Sequence, residues 1–101
     1  MGAHGRLYVT VDGQVAFVGD AYGQTRQAYQ IALDAIVRAG ADVADVVRTR
    51  TYLVDPADAD AAGRAHKELF GDVRPASTML VVARLIHPDH LVEVEVEAYV
   101  P

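Results

Sequence analysis

One stretch of the chain decides the fold: Leu91-Val92-Glu93-Val94-Glu95-Val96-Glu97-Ala98-Tyr99-Val100. Apolar and polar residues alternate strictly along it, which is the period of a β-strand that buries one face. The valines and Ala98 should therefore point toward a core, and the glutamates toward the other side of the sheet. The stretch predicts a strand over residues 91–100 with one covered and one open face.

Three further runs earlier in the chain also have strand character. Arg6–Val11 and Gln14–Gly19 are separated by Asp12-Gly13, a pair favoured in tight type I′ turns, so they predict a hairpin. Val46–Val54 is rich in Val, Thr and Tyr and ends at the turn signal Asp55-Pro56. Together with the opening stretch, these runs predict a sheet.

Two segments have helical periodicity. Ala21–Ala39 follows a candidate N-cap, Asp20, and ends at Gly40. The second segment begins at Pro56, a favoured first helical residue, and runs to about Phe70. The first helix is apolar over more than half its circumference, which is wider than contact with one sheet face requires. We therefore expect something else to cover its flank.

The run Ala76–Leu85 has a continuous apolar centre, Met79–Ala83, which predicts a strand buried on both faces in the middle of the sheet. The resulting order is ββαβαββ. Right-handed crossovers place both helices on one face of a mixed sheet, so the fold class is an α+β two-layer sandwich. We expect a single domain over residues 1–101, with residues 1–5 as a flexible N-terminus. The sheet's other face is left to water or to another subunit.

Composition narrows the function classes. The 101 residues suffice for one core, and 51% of them are hydrophobic. The net charge of −5 opposes non-specific binding to nucleic acid. The absence of cysteine excludes disulfides, thiolate catalysis and thiolate-ligated metal sites. The sequence shows no signal peptide and no apolar run of membrane-spanning length, so we expect a cytoplasmic protein without a membrane partner.

The row Glu93, Glu95 and Glu97 is the main candidate for chemistry, because three carboxylates in line repel one another unless cations or water intervene. One interpretation is a solvated strand face with cross-strand ion pairs. The other is that one glutamate, shielded at a subunit interface, acts as a general acid or base, for which a raised pKa would be the mark. The candidate cations are Arg48, Arg50 and Arg84.

Other polar residues give weaker signals. His87 and His90 frame a turn but have no third ligand nearby, so we predict no metal site, and no motif implies a cofactor. His66 is expected to be a packing or surface residue of the second helix. Ser77 and Thr78 have no histidine and acid at positions that would suggest a catalytic triad.

Four segments together resemble a known family: Gln24–Ala28, the run from Ala39 to Asp55, the pair Pro75-Ala76, and Leu91–Glu95. They are similar to the reactive-intermediate deaminase superfamily, also called Rid, YjgF and endoribonuclease L-PSP. The resemblance implies a fold like that of chorismate mutase. It also implies a homotrimer whose sheets form a central barrel, with small-molecule sites in the clefts between subunits.

The resemblance also assigns residues. The family's glutamate that positions the hydrolytic water falls on Glu95, and its carboxylate-binding arginine falls on Ser77. A serine offers one neutral donor where a guanidinium offers a charge and a fork, so archetypal 2-imino acid deaminase activity is in doubt. Ser77 and Thr78 would act as pocket donors. The remaining candidates for substrate binding are Gly19, in the segment matching the family's Ser-Gly-Gln motif, and Arg50 or Arg74, either of which could replace the arginine.

Three functions remain open at this point. The first is an enzyme that processes a small imine or enamine without the usual arginine clamp. The alternative is a non-catalytic ligand-binding or protein-protective trimer. A ribonuclease or translation inhibitor, as some family labels say, is opposed by the acidic charge.

Overall fold

The alternating stretch forms one of the two inner strands of the sheet, with a neighbouring strand on each side. The computed structural model describes residues 5–11 and 16–101. The elements are β1 (Gly5–Val11), α1 (Ala21–Arg38), β2 (Val46–Leu53), α2 (Ala59–Phe70), β3 (Ala76–Val81) and β4 (Val92–Val100), with 3₁₀ turns over Val43–Asp45 and Pro56–Asp58. The strand order is β1-β4-β2-β3, in which β4 is antiparallel to β1 and β2, and β2 is parallel to β3. The predicted α+β fold with a mixed sheet and two helices is confirmed.

The core lies between the helices and one face of the sheet. On β4 the predicted inward residues Val92, Val94, Val96 and Ala98 are buried, and the fifth, Val100, is partly buried against the same core. From the helices, Tyr29 and Ile36 of α1 and Ala62 of α2 meet them in the same cluster. Alternation on β4 therefore predicted the covered face residue by residue, because a period of two leaves no freedom in which side chain points inward.

Local signals also placed the start of α1. Asp20 is its N-cap, and the Asp20 carboxylate accepts a hydrogen bond from the Gly23 backbone N–H at 2.9 Å. One turn on, the buried side chain of Gln24 donates to the Asp89 carbonyl at 2.9 Å and accepts from the Leu91 N–H at 2.7 Å. Gln24 thus ties the first turn of α1 to the segment that enters β4.

The predicted second strand, Gln14–Gly19, is not a strand in the part that is described. Residues 16–19 form a turn before α1, in which the Asp20 N–H donates to the Phe17 carbonyl at 2.9 Å. Phe17 and Gly19 have φ values of 53° and 76°, a left-handed conformation that does not continue an extended strand. The predicted turn Asp12-Gly13 lies outside the described residues, as does the N-terminus expected to be flexible except Gly5, which already begins β1.

The expectation that residues 76–85 form a central strand was wrong. β3 ends at Val81 and is an edge strand, hydrogen-bonded to β2 alone among the described strands. Met79, Leu80 and Val81 are between 38% and 54% exposed. A continuous apolar run indicates that both faces will be covered, but it does not say whether the cover comes from the same chain. Here β4, not β3, takes the position between two neighbours.

A cluster of aromatic and hydroxyl side chains joins the helices to β2. The Tyr29 ring packs edge-on against Phe70 and His66, with centroids 5.2 and 5.4 Å away. The Tyr29 hydroxyl bonds to Thr51 Oγ1 at 2.5 Å, and burial raises the pKa of Tyr29 to about 12. His66 Nε2 lies 2.8 Å from Thr49 Oγ1. His66 is therefore a packing residue that links α2 to the sheet, as its position predicted.

His66 should make stability depend on pH. Burial lowers its pKa below the ordinary 6.5, so the unfolded chain binds the proton more tightly than the folded one. Its contribution is complete above pH about 6.5 and is lost as pH falls through the lower, folded-state pKa. We expect the free energy of unfolding to drop between pH 7 and 5 by less in His66→Gln than in the unsubstituted protein. His87→Gln, at an exposed histidine, is the control and should retain the full drop; equal slopes in all three proteins would contradict this role.

Candidate functional site

The face of the sheet that points away from the helices carries a row of polar side chains. Glu95 on β4 is the partner of Thr10 on β1 and of Arg50 on β2, and Arg50 is the partner of Thr78 on β3. Residues paired in register point to the same face of a sheet. These four side chains therefore cross the whole open face at one level.

Glu95 is the centre of this row. Tyr52 donates its hydroxyl hydrogen bond to Glu95 Oε1 at 2.5 Å, and Tyr8 donates to Oε2. Arg50 adds a longer ionic contact, with Nη1 3.5 Å from Oε1. The Glu95 side chain is only 16% exposed, although it lies on the face that no helix covers. Two phenols and a guanidinium from the two neighbouring strands, β1 and β2, thus enclose one carboxylate on β4.

This environment keeps Glu95 ionised. Burial alone would raise its pKa, but the hydrogen bonds from Tyr52, Tyr8 and Arg50 and the charge of Arg50 outweigh burial, so the pKa is lowered. The bond to Glu95 is the main reason that the pKa values of Tyr8 and Tyr52 are raised, so both remain protonated donors. The raised pKa expected of a glutamate that acts as a general acid or base is therefore wrong: the pKa of Glu95 is lowered, and the ionised carboxylate can accept a proton but not donate one. Of the two roles in acid–base chemistry, the arrangement fits a base that accepts a proton from water.

The neighbouring glutamate is held by a different cation. Glu97 Oε2 lies 3.1 Å from Nε of Arg6, an arginine that the sequence did not single out. Glu97 is also the register partner of Arg48. The ion-pair interpretation of the glutamate row is therefore correct for Glu97, whereas Glu95 has the richer set of donors.

The other predicted site residues do not all lie on the same face of the sheet as Glu95. Thr78 lies in the row with Glu95. Ser77 is the register partner of Thr49, which is buried against the helices, so within one chain Ser77 points to the opposite face from Glu95. Gly19 lies in the turn before α1, and Arg74 in the turn before β3 with φ of 53°. A pocket that unites Ser77 and Gly19 with Glu95 would need a second subunit, and it stays a prediction.

Two residues of the site were missed in the sequence. Tyr8 and Tyr52 contact Glu95 from β1 and β2, which are separated from it by 87 and 43 positions in the chain. Tyr52 could have been found, because alternation places it on the same face of β2 as Arg48 and Arg50. Tyr8 could not, because its contact depends on which strand borders β4.

The described residues hold no group of three or more histidines, cysteines or acids that could bind a metal ion. The His87 and His90 rings lie 5.4 Å apart, and the Asp89 N–H donates to His87 Nδ1 at 3.1 Å. Within residues 5–11 and 16–101, no helix is both long and apolar enough to cross a membrane.

Comparison with known proteins finds relatives that match most of the chain. The family model described as endoribonuclease L-PSP matches residues 4–100. An uncharacterised Streptomyces coelicolor protein is 48% identical over 90% of this chain and 73% of its own length. The 3-aminoacrylate deaminase RutC of Acinetobacter baylyi is 33% identical over 95% of this chain and 75% of its own length.

A solved structure of a related protein has a similar fold. Rv2704 of Mycobacterium tuberculosis, described as a member of the YjgF/YER057c/UK114 family, superposes with a TM-score of 0.82 at 42% identity, over 92% of this chain and 79% of that one. The family model covers nearly the whole chain, and the structural match covers 92% of it. The chain therefore belongs to the endoribonuclease L-PSP family of the Rid/YjgF superfamily.

Proposed function

We propose that the protein is a trimeric Rid-type hydrolase that converts a small imine or enamine to a carbonyl compound and ammonia, with Glu95 as the general base. The observation that carries the proposal is the convergence of Tyr8, Tyr52 and Arg50 on Glu95, which keeps an enclosed carboxylate ionised. The relative described as a 3-aminoacrylate deaminase supports the same class of reaction.

The chemistry needs one water and no redox partner. The Glu95 carboxylate accepts a proton from the water as the water oxygen attacks the carbon of the C=N bond. The electron pair of that bond moves to nitrogen, nitrogen takes the proton from Glu95, and a neutral carbinolamine forms. When the C–N bond breaks, Glu95 accepts the hydroxyl proton as the carbonyl forms and passes it to nitrogen, which leaves as ammonia, so the carboxylate is regenerated. Thr78, in the same row, would donate a hydrogen bond to the substrate.

The trimer is part of the proposal because the single chain leaves apolar surface uncovered. Met79, Leu80 and Val81 lie on an exposed edge strand, and Tyr8 and Tyr99 are half exposed on the open face. An uncovered edge with apolar side chains favours association with another chain. A second subunit would also bring a Ser77 and a Gly19 toward the cleft beside Glu95. A solution mass of about three times 10.9 kDa is expected, and a mass of one chain at all concentrations would contradict this part.

The activity can be tested directly on freshly generated imines and enamines. The purified protein should accelerate ammonia release, and it should reduce the yield of semicarbazone when semicarbazide competes for the imine. Heat-denatured protein is the control for non-specific catalysis. No acceleration on any member of a panel with and without carboxylate groups would overturn the enzymatic proposal.

The presence of Ser77 where archetypal members carry an arginine supports a second candidate, a ligand-binding trimer without turnover. Its signature is saturable binding of a small carbonyl compound with no product formed from the corresponding imine. The same two measurements therefore separate the candidates.

A further inference from the structure

The two oxygens of the Glu95 carboxylate are not held equally. Tyr52 donates to Oε1 at 2.5 Å, and Arg50 Nη1 lies 3.5 Å from the same oxygen. Oε2 accepts a hydrogen bond from Tyr8. Within the described part of the chain, Oε2 therefore has fewer donors than Oε1 and keeps a lone pair for the attacking water. The tyrosine next to the reacting oxygen is Tyr8.

The two tyrosines also differ in what they can reach besides Glu95. Tyr8 is the register partner of Glu97, and Tyr52 is that of Glu93. The two phenols therefore reach the Glu95 carboxylate diagonally, from opposite directions along β4. Tyr8 is 51% exposed and lines a shallow depression on the open face beside Glu95, whereas Tyr52 is more enclosed and is not among the described residues that line it. A ligand in the depression would touch Tyr8.

The protonation states of the pair favour transfer along the hydrogen bond between Tyr8 and Glu95. The bond to Glu95 raises the pKa of Tyr8 above the ordinary 10.0, although the neighbouring Thr10 side chain acts in the opposite direction. The pKa of Glu95 is lowered from 4.5. A proton held by Glu95 would therefore pass readily to a Tyr8 oxygen that had given up its own proton. Tyr8 thus remains a protonated donor throughout the neutral pH range.

We propose that Tyr8 is a second catalytic residue, whose hydroxyl carries the proton between Glu95 and the nitrogen of the substrate. This inference rests on the proposed function for the reaction itself. As water attacks, Glu95 Oε2 accepts a proton from it, and Tyr8 donates its own proton to the nitrogen that receives the electron pair of the C=N bond. The proton on Glu95 then passes to the Tyr8 oxygen. Both residues are restored, and water has been added across the bond.

The same two residues serve the breakdown of the carbinolamine. Glu95 accepts the hydroxyl proton as the carbonyl forms, and Tyr8 donates its proton to the nitrogen as the C–N bond breaks. Glu95 again returns a proton to Tyr8, and ammonia leaves. Tyr52, bonded to the other carboxylate oxygen, is a positioning residue: it orients Glu95 and lowers its pKa.

The test compares the pH dependence of kcat in three variants, on an imine that the unsubstituted protein hydrolyses. Tyr8→Phe and Tyr52→Phe each remove a donor to Glu95, so both should raise the pKa of Glu95 and move the acid side of the profile to higher pH. Only Tyr8→Phe should also lower the pH-independent kcat above that region, by roughly tenfold or more. Tyr99→Phe, at a tyrosine that is 53% exposed on the same face of β4, is the matched control and should change neither quantity.

Two results would overturn the inference. A Tyr8→Phe variant that shifts the profile but keeps the pH-independent kcat would show that Tyr8 only helps to hold Glu95 ionised. An equal loss of the pH-independent kcat in Tyr52→Phe would show that proton transfer is not specific to Tyr8. Circular dichroism and solution mass will show that each variant is folded and assembled.

If Tyr8→Phe does not fold, the unsubstituted protein decides the question. Its pH-independent kcat should fall along a curve as the fraction of heavy water rises, because two protons move together, one from water to Glu95 and one from Tyr8 to nitrogen. A straight line would mean that one proton moves and would contradict the relay. Failure of the proposed function looks different: the unsubstituted protein then hydrolyses no imine, and the role of Tyr8 falls with it.

Discussion

Replacing Glu95 with Gln should lower kcat for imine hydrolysis by roughly 100- to 10,000-fold, the usual contribution of a positioned general base. The amide has nearly the same shape: its oxygen accepts a hydrogen bond from one tyrosine and its NH2 group donates to the hydroxyl oxygen of the other, but it cannot take a proton from water. The variant should therefore stay folded and assembled. Initial rates on an imine that the unsubstituted protein hydrolyses, together with circular dichroism, measure both parts of the expectation.

Glu97→Gln is the matched comparison for this experiment. Glu97 lies on the same strand and the same face, but its carboxylate is held by Arg6 rather than by two tyrosines. We expect kcat to change by no more than a few fold. A large loss in Glu97→Gln with little loss in Glu95→Gln would show that the base has been assigned to the wrong carboxylate.

The pH dependence of the hydrolysis rate tests the role of Glu95 independently. Because the pKa of Glu95 is lowered from 4.5, a base role predicts a rate that stays constant as pH falls toward 5 and declines only below that value. An acid role predicts the reverse dependence, with activity increasing as the carboxyl becomes protonated. Rate measurements between pH 4 and 8 distinguish the two.

Replacing Phe70 with Ala should lower the free energy of unfolding by about 3–5 kcal/mol, the range for truncating a buried aromatic side chain. Phe70 is 1% exposed, and its ring contacts both Tyr29 and His66, with centroids 5.2 and 4.8 Å away. The truncation removes the contact that closes the end of α2 against α1. Single domains are stable by only about 5–15 kcal/mol, so much of the stability would be lost.

Urea denaturation at a fixed protomer concentration is the appropriate measurement, since association also contributes to stability. Ile86→Ala is the control, because Ile86 is equally apolar but 97% exposed, and its truncation should change the free energy of unfolding by no more than about 0.5 kcal/mol. A loss below about 1 kcal/mol in Phe70→Ala would mean that the aromatic cluster is not part of the cooperative core.

Several features of the fold were predicted correctly from residues that are close together in the chain. The inward face of β4, the N-cap at Asp20 and the end of α2 at Phe70 were all correct, because alternation, capping and helix termination depend on residues within one or two turns of the chain. The family resemblance was also correct, and the match over residues 4–100 confirms it. Glu95 as a site residue came from that resemblance and stays a prediction.

Only the tertiary structure determined which strands are neighbours in the sheet and which side chains contact Glu95. The apolar run of β3 predicted a strand in the middle of the sheet, but β3 is an edge strand. Hydrophobicity indicates that a strand will be covered, but it does not indicate which surface will cover it. Alternation places Tyr52 on the same face of β2 as Arg50, but the contact of Tyr8 with Glu95 could not be predicted, because it depends on β1 being the antiparallel neighbour of β4. The sequence by itself determined both helices, the strands other than the predicted Gln14–Gly19, the family and the face on which the glutamates lie. Strand order and register, which join residues far apart in the chain, decided that Glu95 is enclosed by two phenols and a guanidinium.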